Sequence, residues 1–346
     1  MTTDTDPSEP LEYYLETVLE GRNLTEHRRW TYHQIIPTFQ QYIKSRGRTD
    51  ISDIGIHDVR SFIGMLREDK GWEMSTILNN LSALNKAYKD LMIMGILQEN
   101  PIQLVMAETD FQTGKRQRRS VSVAQMGSFL RRRCTHPIFL AVFTTMAKTG
   151  IRVGELVNLD IRDVNFDHPL IEEEYPNLRP ELDDHPPDTI YIPANITEGK
   201  EYRGEIRKSG NKRKRPTFIP IDPELKQILF RYLLIRPPTN TVERPFFVGL
   251  GGCTKRLNQR LTPATVNSQL RKRATKEGWI TDGYHPMNVS PHYFRHFFTT
   301  HARERMSDSS VKYIRGDKGD DVMDIYTHNW NNKVRDEYLS NIYRLF

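Results

Sequence analysis

Apolar residues recur at helical spacing through most of the first hundred positions. Between Thr25 and Lys44 the set Trp30, Ile35, Ile36, Phe39, Tyr42 and Ile43 keeps to one face of a helix. Pro37 falls inside that set and lacks a backbone donor, so a kink or an interruption is expected there, and Gly47 ends the segment. Val59, Phe62, Ile63 and Leu66 mark a third short helix, stopped by Gly71. Ser75 is placed to cap a fourth, with Ile77, Leu78, Leu81, Leu84, Tyr88 and Leu91 turned inward. Residues 1–106 therefore read as a helical domain behind a polar tail that leads into a first short helix.

The periodicity then stops. Residues 107–120 are polar and basic and read as an interdomain linker. From Val121 onward helical patterns cover 124–133, 137–149 and 153–159, broken at Gly150, and short strand candidates follow at 161–166, 189–193 and 217–221. Residues 168–188 hold five prolines and seven acidic residues, so they are expected to form an irregular insertion. Beyond Pro223 the pattern is helical again, apart from Gly- and Pro-rich stretches near 249–252 and 283–291. The fold class expected is mainly α with a small β-sheet (α+β), with a second domain over 121–346.

Composition narrows the partners. The chain has 346 residues, of which 37% are hydrophobic, including four Trp, 15 Tyr and 15 Phe, which is too much apolar surface for a disordered chain. No run of 18 apolar residues offers a membrane span, and the polar opening MTTDTDPSEP has no apolar segment of the secretory kind. Cys134 and Cys253 fit neither a disulfide framework nor metal-ligand spacing, which favours a reducing, cytoplasmic compartment. Net charge is +6, with a pI near 9.1, and the basic residues cluster. Lys115, Arg116, Arg118 and Arg119 form one group, and the run 207–215, RKSGNKRKR, forms another. Such clusters neutralise nucleic-acid phosphates; the alternative is a pair of solvated loops. Lys212, Arg213, Lys214 and Arg215 join the first group as candidate DNA contacts.

Three segments carry candidate chemistry. The first is Thr149-Gly-Ile-Arg-Val-Gly-Glu-Leu156, with Asp163 downstream. The second is Ser290-Pro-His-Tyr-Phe-Arg-His296, and the third runs from Tyr313 through Ile314-Arg-Gly-Asp317 to Tyr326-Thr-His328. His292 and His296 have the i, i+4 spacing of zinc ligands, but no third ligand is evident, so no metal is expected. In this order and separation the three segments resemble the tyrosine recombinase (phage integrase) family. The resemblance covers the whole of 121–346, and the helical N-terminal part looks like the family's core-binding domain.

That resemblance implies a site-specific DNA recombinase working on double-stranded DNA as a tetramer, through a Holliday junction, without a cofactor. Tyr326 would be the nucleophile, leaving a 3′-phosphotyrosine and a free 5′-hydroxyl; the bond energy is conserved, so neither ATP nor metal is needed. Arg152 and Arg295 match the family's two arginines, which suit phosphate because a guanidinium stays charged and can hold two oxygens at once. His292 matches the family's histidine. Lys208 resembles the hairpin lysine that serves as general acid, with Lys212 as the alternative. Glu155 and Asp163 match supporting acidic positions that orient the arginines. Tyr313, Tyr338 and Tyr343 are competing tyrosines expected to pack or to face solvent.

One departure stands out. Nine residues before Tyr326, where the family has His or Trp, this chain has Asp317. Either Asp317 buttresses another residue, or Arg315 or Lys318 replaces the missing donor. Two other readings compete with recombination: relaxation of DNA in the manner of a type IB topoisomerase, and a DNA-binding protein with weakened cleavage. The apolar end, 336–346, suits docking either on a neighbouring protomer or on its own domain.

Overall fold

The structure is a computed structural model that describes residues 9–22, 24–48, 50–108, 118–239, 244–249, 258–281, 287–317 and 328–346; the side chains of His27 and of 328–331 are also outside it. Tyr326, Lys318, Lys115, Arg116 and Cys253 therefore lie outside the described residues. The chain divides into two compact units, Met1–Arg116 and Gln117–Phe346.

The first unit is helical: α1 (Pro10–Tyr13), continuing as a π-helical turn, α2 (Glu26–Ser45), α3 (Ile56–Glu68), α4 (Met74–Ile93) and α5 (Pro101–Glu108). Thr25 caps α2 by accepting from the Arg28 N–H. The Pro37 interruption does not occur, for α2 runs unbroken through it. Pro37 and His33, whose carbonyl loses its helical donor, both lie on the exposed face, where water can replace that bond. Trp30 is exposed rather than inward. Ser75 is not a cap either, because α4 begins one residue earlier with Glu73 before it. Ile35, Phe39, Phe62, Leu81, Leu84 and Tyr88 fill the core. Asp90 is buried there and accepts from Tyr14 Oη at 3.0 Å, Lys86 Nζ at 2.7 Å and, as an ion pair, faces Arg22 Nη2 at 2.7 Å. Burial alone would raise its carboxyl, but these partners hold it below the usual range.

The second unit is built around α7 (Pro137–Thr149), buried along almost its whole length. α6 (Val123–Arg133) precedes it, opened by Ser122 and Gln125, whose side chains reciprocally bond each other's N–H. α8 (Val153–Asn158), β1 (Val164–Asn165), α9 (Pro169–Glu174), β2 (Thr189–Ile192), β3 (Glu201–Tyr202), β4 (Glu205–Ile206) and β5 (Thr217–Pro220) follow. The helices α10 (Pro223–Leu233), α11 (Pro263–Lys276), α12 (Pro291–Arg303), α13 (Asp308–Arg315) and α14 (His328–Asn341) complete the order. α10 and α12 flank α7. An antiparallel sheet runs β1-β2-β5, pairing Val164 with Ile190 and Ile190 with Ile219. The strand expected at 161–166 shrinks to two residues after a 3₁₀ turn. The mainly α architecture with a small sheet matches the expectation.

The last residues pack on their own unit. Tyr338, Tyr343 and Leu345 are buried, and the carbonyl of Leu345 sits where a side chain on Gly127 would be. Lys148, fully buried, donates to Tyr343 O at 2.6 Å and pairs with Asp222 and Glu224 at 3.0 and 2.5 Å. Among the described residues no helix is long and apolar enough to cross a membrane.

Candidate active site

Gly150 ends α7 in the left-handed region, φ +62°, and a β-carbon there would stand 2.5 Å from the Phe298 ring. Only glycine fits, and its carbonyl turns toward α12. Arg295, on α12 and 2% exposed, donates through Nη1 to Gly150 O at 2.9 Å and to Arg315 O at 2.7 Å. Two residues after Gly150, Arg152 stands just before α8. Glu155 Oε2 accepts from the Arg152 N–H and Oε1 from its Nη1, both at 2.9 Å. Each arginine thus has Nη1 tied to protein and Nη2 free to face a common point. At that point is the carboxylate of Asp317: Arg295 Nη2 donates to Oδ1, and Arg152 Nη2 is 3.8 Å from the same oxygen. Arg315 Nη2 approaches Oδ2 at 3.2 Å.

The local charge balance is positive. Burial, and then the charge of Arg152, push Arg295 down to about 10, with Asp317 acting the other way. It remains cationic at neutral pH. His292 lies on the exposed side of α12, one turn before Arg295, with its pKa lowered by desolvation and then by Arg295, Arg118 and Arg152. It is therefore neutral near pH 7, able to donate with one ring nitrogen and accept with the other. His296 is edge-on to it at 4.6 Å and lies 2.9 Å from Arg118 Nη1 through Nδ1; desolvation and Arg118 push it to about 4.

The hairpin beyond α8 is fastened beside Arg152. A β-carbon on Gly154 would meet Ser209 Oγ at 2.5 Å and Gly210 O at 2.9 Å, so the absent side chain lets the hairpin seat directly on α8. Asn158 Nδ2 donates to Ser209 O at 2.8 Å and to Asn211 Oδ1 at 2.9 Å. Arg207 is fully buried and pairs with Asp160 at 3.1 Å, and Arg260 shares that carboxylate at 2.5 Å while also holding Glu205. Between these fixed points Lys208 is exposed, in the residue next to Ser209; Lys212, four residues on, is exposed too.

The chain is similar along most of its length to known proteins, although no family model matches it. Tyrosine recombinase XerC of Vibrio cholerae is 24% identical over 328 residues, covering 93% of this chain and 88% of that protein. XerC of Alcanivorax borkumensis is 22% identical over 317 residues, covering 88% and 86%. The Tn1549 transposon integrase, solved in complex with transposon right end DNA, superposes with a TM-score of 0.67 at 16% identity, over 96% of this chain and 99% of that one. Its sequence is similar to proteins named tyrosine recombinase, and it shares the fold of that integrase. The lambda integrase dimer bound to a COC′ core site adds a TM-score of 0.59 at 13% identity, over 90% and 94%.

Within this recombinase fold the expected residues separate. Arg152, His292, Arg295, Glu155 and Asp317 come together, with Lys208 on the adjoining hairpin. Asp163 does not join them. It is buried and accepts from Arg179 Nε at 2.6 Å, anchoring the insertion 168–188 instead of orienting Arg152 or Arg295. That insertion is less irregular than expected, since it contains α9 and a 3₁₀ turn at Pro180–Leu182. Arg213 is not a surface contact for DNA: it is 2% exposed and donates to Glu155 Oε2 at 3.2 Å and Ile314 O at 2.9 Å. Lys214 and Arg215 are exposed, as is Arg118, whereas Arg119 is half-buried with Nε donating to Met287 O. The competing tyrosines are all occupied inside: Tyr313 Oη accepts from the Phe218 N–H, while Tyr338 and Tyr343 donate to Lys148 O and Ala147 O. Arg213, Asn158 and the Asp160–Arg207–Arg260 cluster had no motif to announce them, and in the sequence Arg213 looks the same as the exposed bases on either side of it.

Proposed function

We propose that the protein is a site-specific DNA recombinase, cytoplasmic and DNA-associated, that cuts and rejoins double-stranded DNA through Tyr326. The observation that carries this reading is the convergence of Arg152 Nη2 and Arg295 Nη2 on one exposed-side point beside His292. Two fixed guanidinium groups facing one anion suit the two non-bridging oxygens of a phosphodiester, and they stabilise the extra charge of the transition state without reorganising. The phenol of Tyr326 loses its proton to water as it attacks phosphorus, the bond to the 5′ oxygen breaks, and the leaving oxygen takes a proton from Lys208, or else from Lys212. His292 hydrogen-bonds the phosphate. The tyrosine ester keeps the energy of the broken bond, so rejoining by the 5′-hydroxyl needs no ATP or metal. The integrases similar in fold were solved on DNA, lambda integrase also as a tetramer bound to a Holliday junction, which supports double-stranded DNA as partner and a tetramer as the working assembly.

The test is a nicked suicide duplex drawn from DNA flanking the protein's own gene. A denaturation-resistant adduct mapping to Tyr326 and absent in Tyr326→Phe supports the reading; an adduct that survives Tyr326→Phe sinks it. Weakened cleavage has one observation in its favour, the Asp317 carboxylate lying against both arginines, and predicts tight DNA binding with no adduct. Relaxation of plasmids lacking any specific site, by a monomer at full rate, would favour the topoisomerase reading.

A further inference from the structure

Gly316 closes α13 in a left-handed cap, and the Asp317 N–H donates back to Lys312 O at 3.1 Å. This turn holds the Asp317 side chain among three guanidinium groups: it accepts from Arg295 Nη2, lies 3.2 Å from Arg315 Nη2 and 3.8 Å from Arg152 Nη2. One carboxylate facing three cations leaves an excess of positive charge that Glu155, already shared between Arg152 and Arg213, only partly offsets. A purely structural ion pair would need one partner. Here three cations are arranged around one anion, and two of them are braced from behind, Arg152 by Glu155 and Arg295 by two carbonyls. Arg315 has a buried Nε with no acceptor among the described residues, so its guanidinium has donor capacity left over. The carboxylate is also a chemical likeness of a phosphodiester: two equivalent oxygens sharing one negative charge. It is 25% exposed, at the border with solvent, so it can swing out without unpacking the core.

We propose that Asp317 occupies the place of the scissile phosphate while DNA is absent, and that Arg315 is the third guanidinium of that anion site. The inference rests on the recombinase reading and deepens it. Phosphate arriving at the site displaces the carboxylate to water and takes over its three donors. The chain thus holds its own arginines partly neutralised until a backbone displaces the internal anion, and the price is weaker binding of the first phosphate.

The test uses the full chain and inorganic phosphate, titrated calorimetrically. Asp317→Asn keeps the size and one accepting oxygen but removes the charge, and is expected to bind phosphate at least tenfold more tightly than the parent. Arg315→Ala added to Asp317→Asn is expected to give back about tenfold. Asp317→Ala, measured alongside, carries the comparison if the asparagine variant folds poorly. Phosphate bound by both Asp317 variants no more tightly than by the parent, or not bound at all, overturns the proposal; a change within twofold on losing Arg315 removes that residue from the site. None of this requires Tyr326 or DNA. Tight phosphate binding by Asp317→Asn without any adduct on the suicide duplex would therefore retain the anion site and overturn the recombinase reading.

Discussion

Glu155 holds Arg152 and Arg213 with one carboxylate, Oε1 receiving the first at 2.9 Å and Oε2 the second at 3.2 Å. Burial would raise this carboxyl, but Arg213 and Arg152 bring it below its usual range, so it is ionised at neutral pH. Glu155→Ala strands a dry guanidinium and is expected to cost about 3–5 kcal/mol. The check is the denaturant midpoint, together with adduct yield per folded molecule. A variant as stable as the parent would mean that the pair does not form.

The contact of Gly154 with the hairpin predicts a second effect. Gly154→Ala places a β-carbon against Ser209 and the backbone of Gly210, and is expected to destabilise by about 1–3 kcal/mol through overpacking. Hydrogen exchange should quicken at the Asn211 amide, which donates to Ile196 O at 2.8 Å. Unchanged exchange there would show that the hairpin does not seat on α8.

Asp163 and Arg179 should be replaceable as a pair. Burial and the neighbouring Asp160 already raise Asp163 to about 7, so Arg179→Met leaves a buried carboxyl that takes up a proton, and is expected to lose about 2–4 kcal/mol; adding Asp163→Asn should recover most of it. Adduct formation by the double variant should match the parent, since neither side chain touches Arg152 or Arg295. A double variant that folds but forms no adduct would return Asp163 to the site.

His296 supplies a pH dependence. Its pKa is near 4 in the folded protein and about 6.5 when unfolded. Between those values the unfolded chain binds a proton that the folded chain refuses, so stability falls as pH drops from 6.5 toward 4. His292 and His136 are lowered as well and act in the same direction. His296→Gln should therefore show a shallower loss of stability over this window and equal the parent's slope above pH 7. Parallel curves would refute the assignment.

The helices were legible because their cores are periodic: Ile35, Phe39 and Tyr42 repeat every three or four residues, and tertiary packing uses that face. Pro37 misled because its effect depends on where the orphaned carbonyl points, which the sequence does not state. That Arg152, His292 and Arg295 come together was anticipated because their motifs stand in a fixed order along the chain. Asp163 and Arg213 were misread for one reason. An acid or a base at a motif position looks the same whether its partner is an active-site arginine, an insertion or solvent, and the partner comes from a remote segment. Arg179, which claims Asp163, sits in a stretch that showed no chemistry of its own.

The basic run 207–215 separates into two populations that ionic strength will treat differently. Arg207 and Arg213 are sealed from solvent with their carboxylates, where mobile ions do not reach, while Lys208, Lys212 and Lys214 stand in water. At 0.1 M salt the Debye length is about 10 Å, so the lysines lose most of their long-range pull while the buried pairs lose little. Added salt should thus strip the protein from a polyanion well before it loosens the hairpin, and fluorescence anisotropy on labelled duplex and thermal melting, followed through one salt series, would show two separate midpoints.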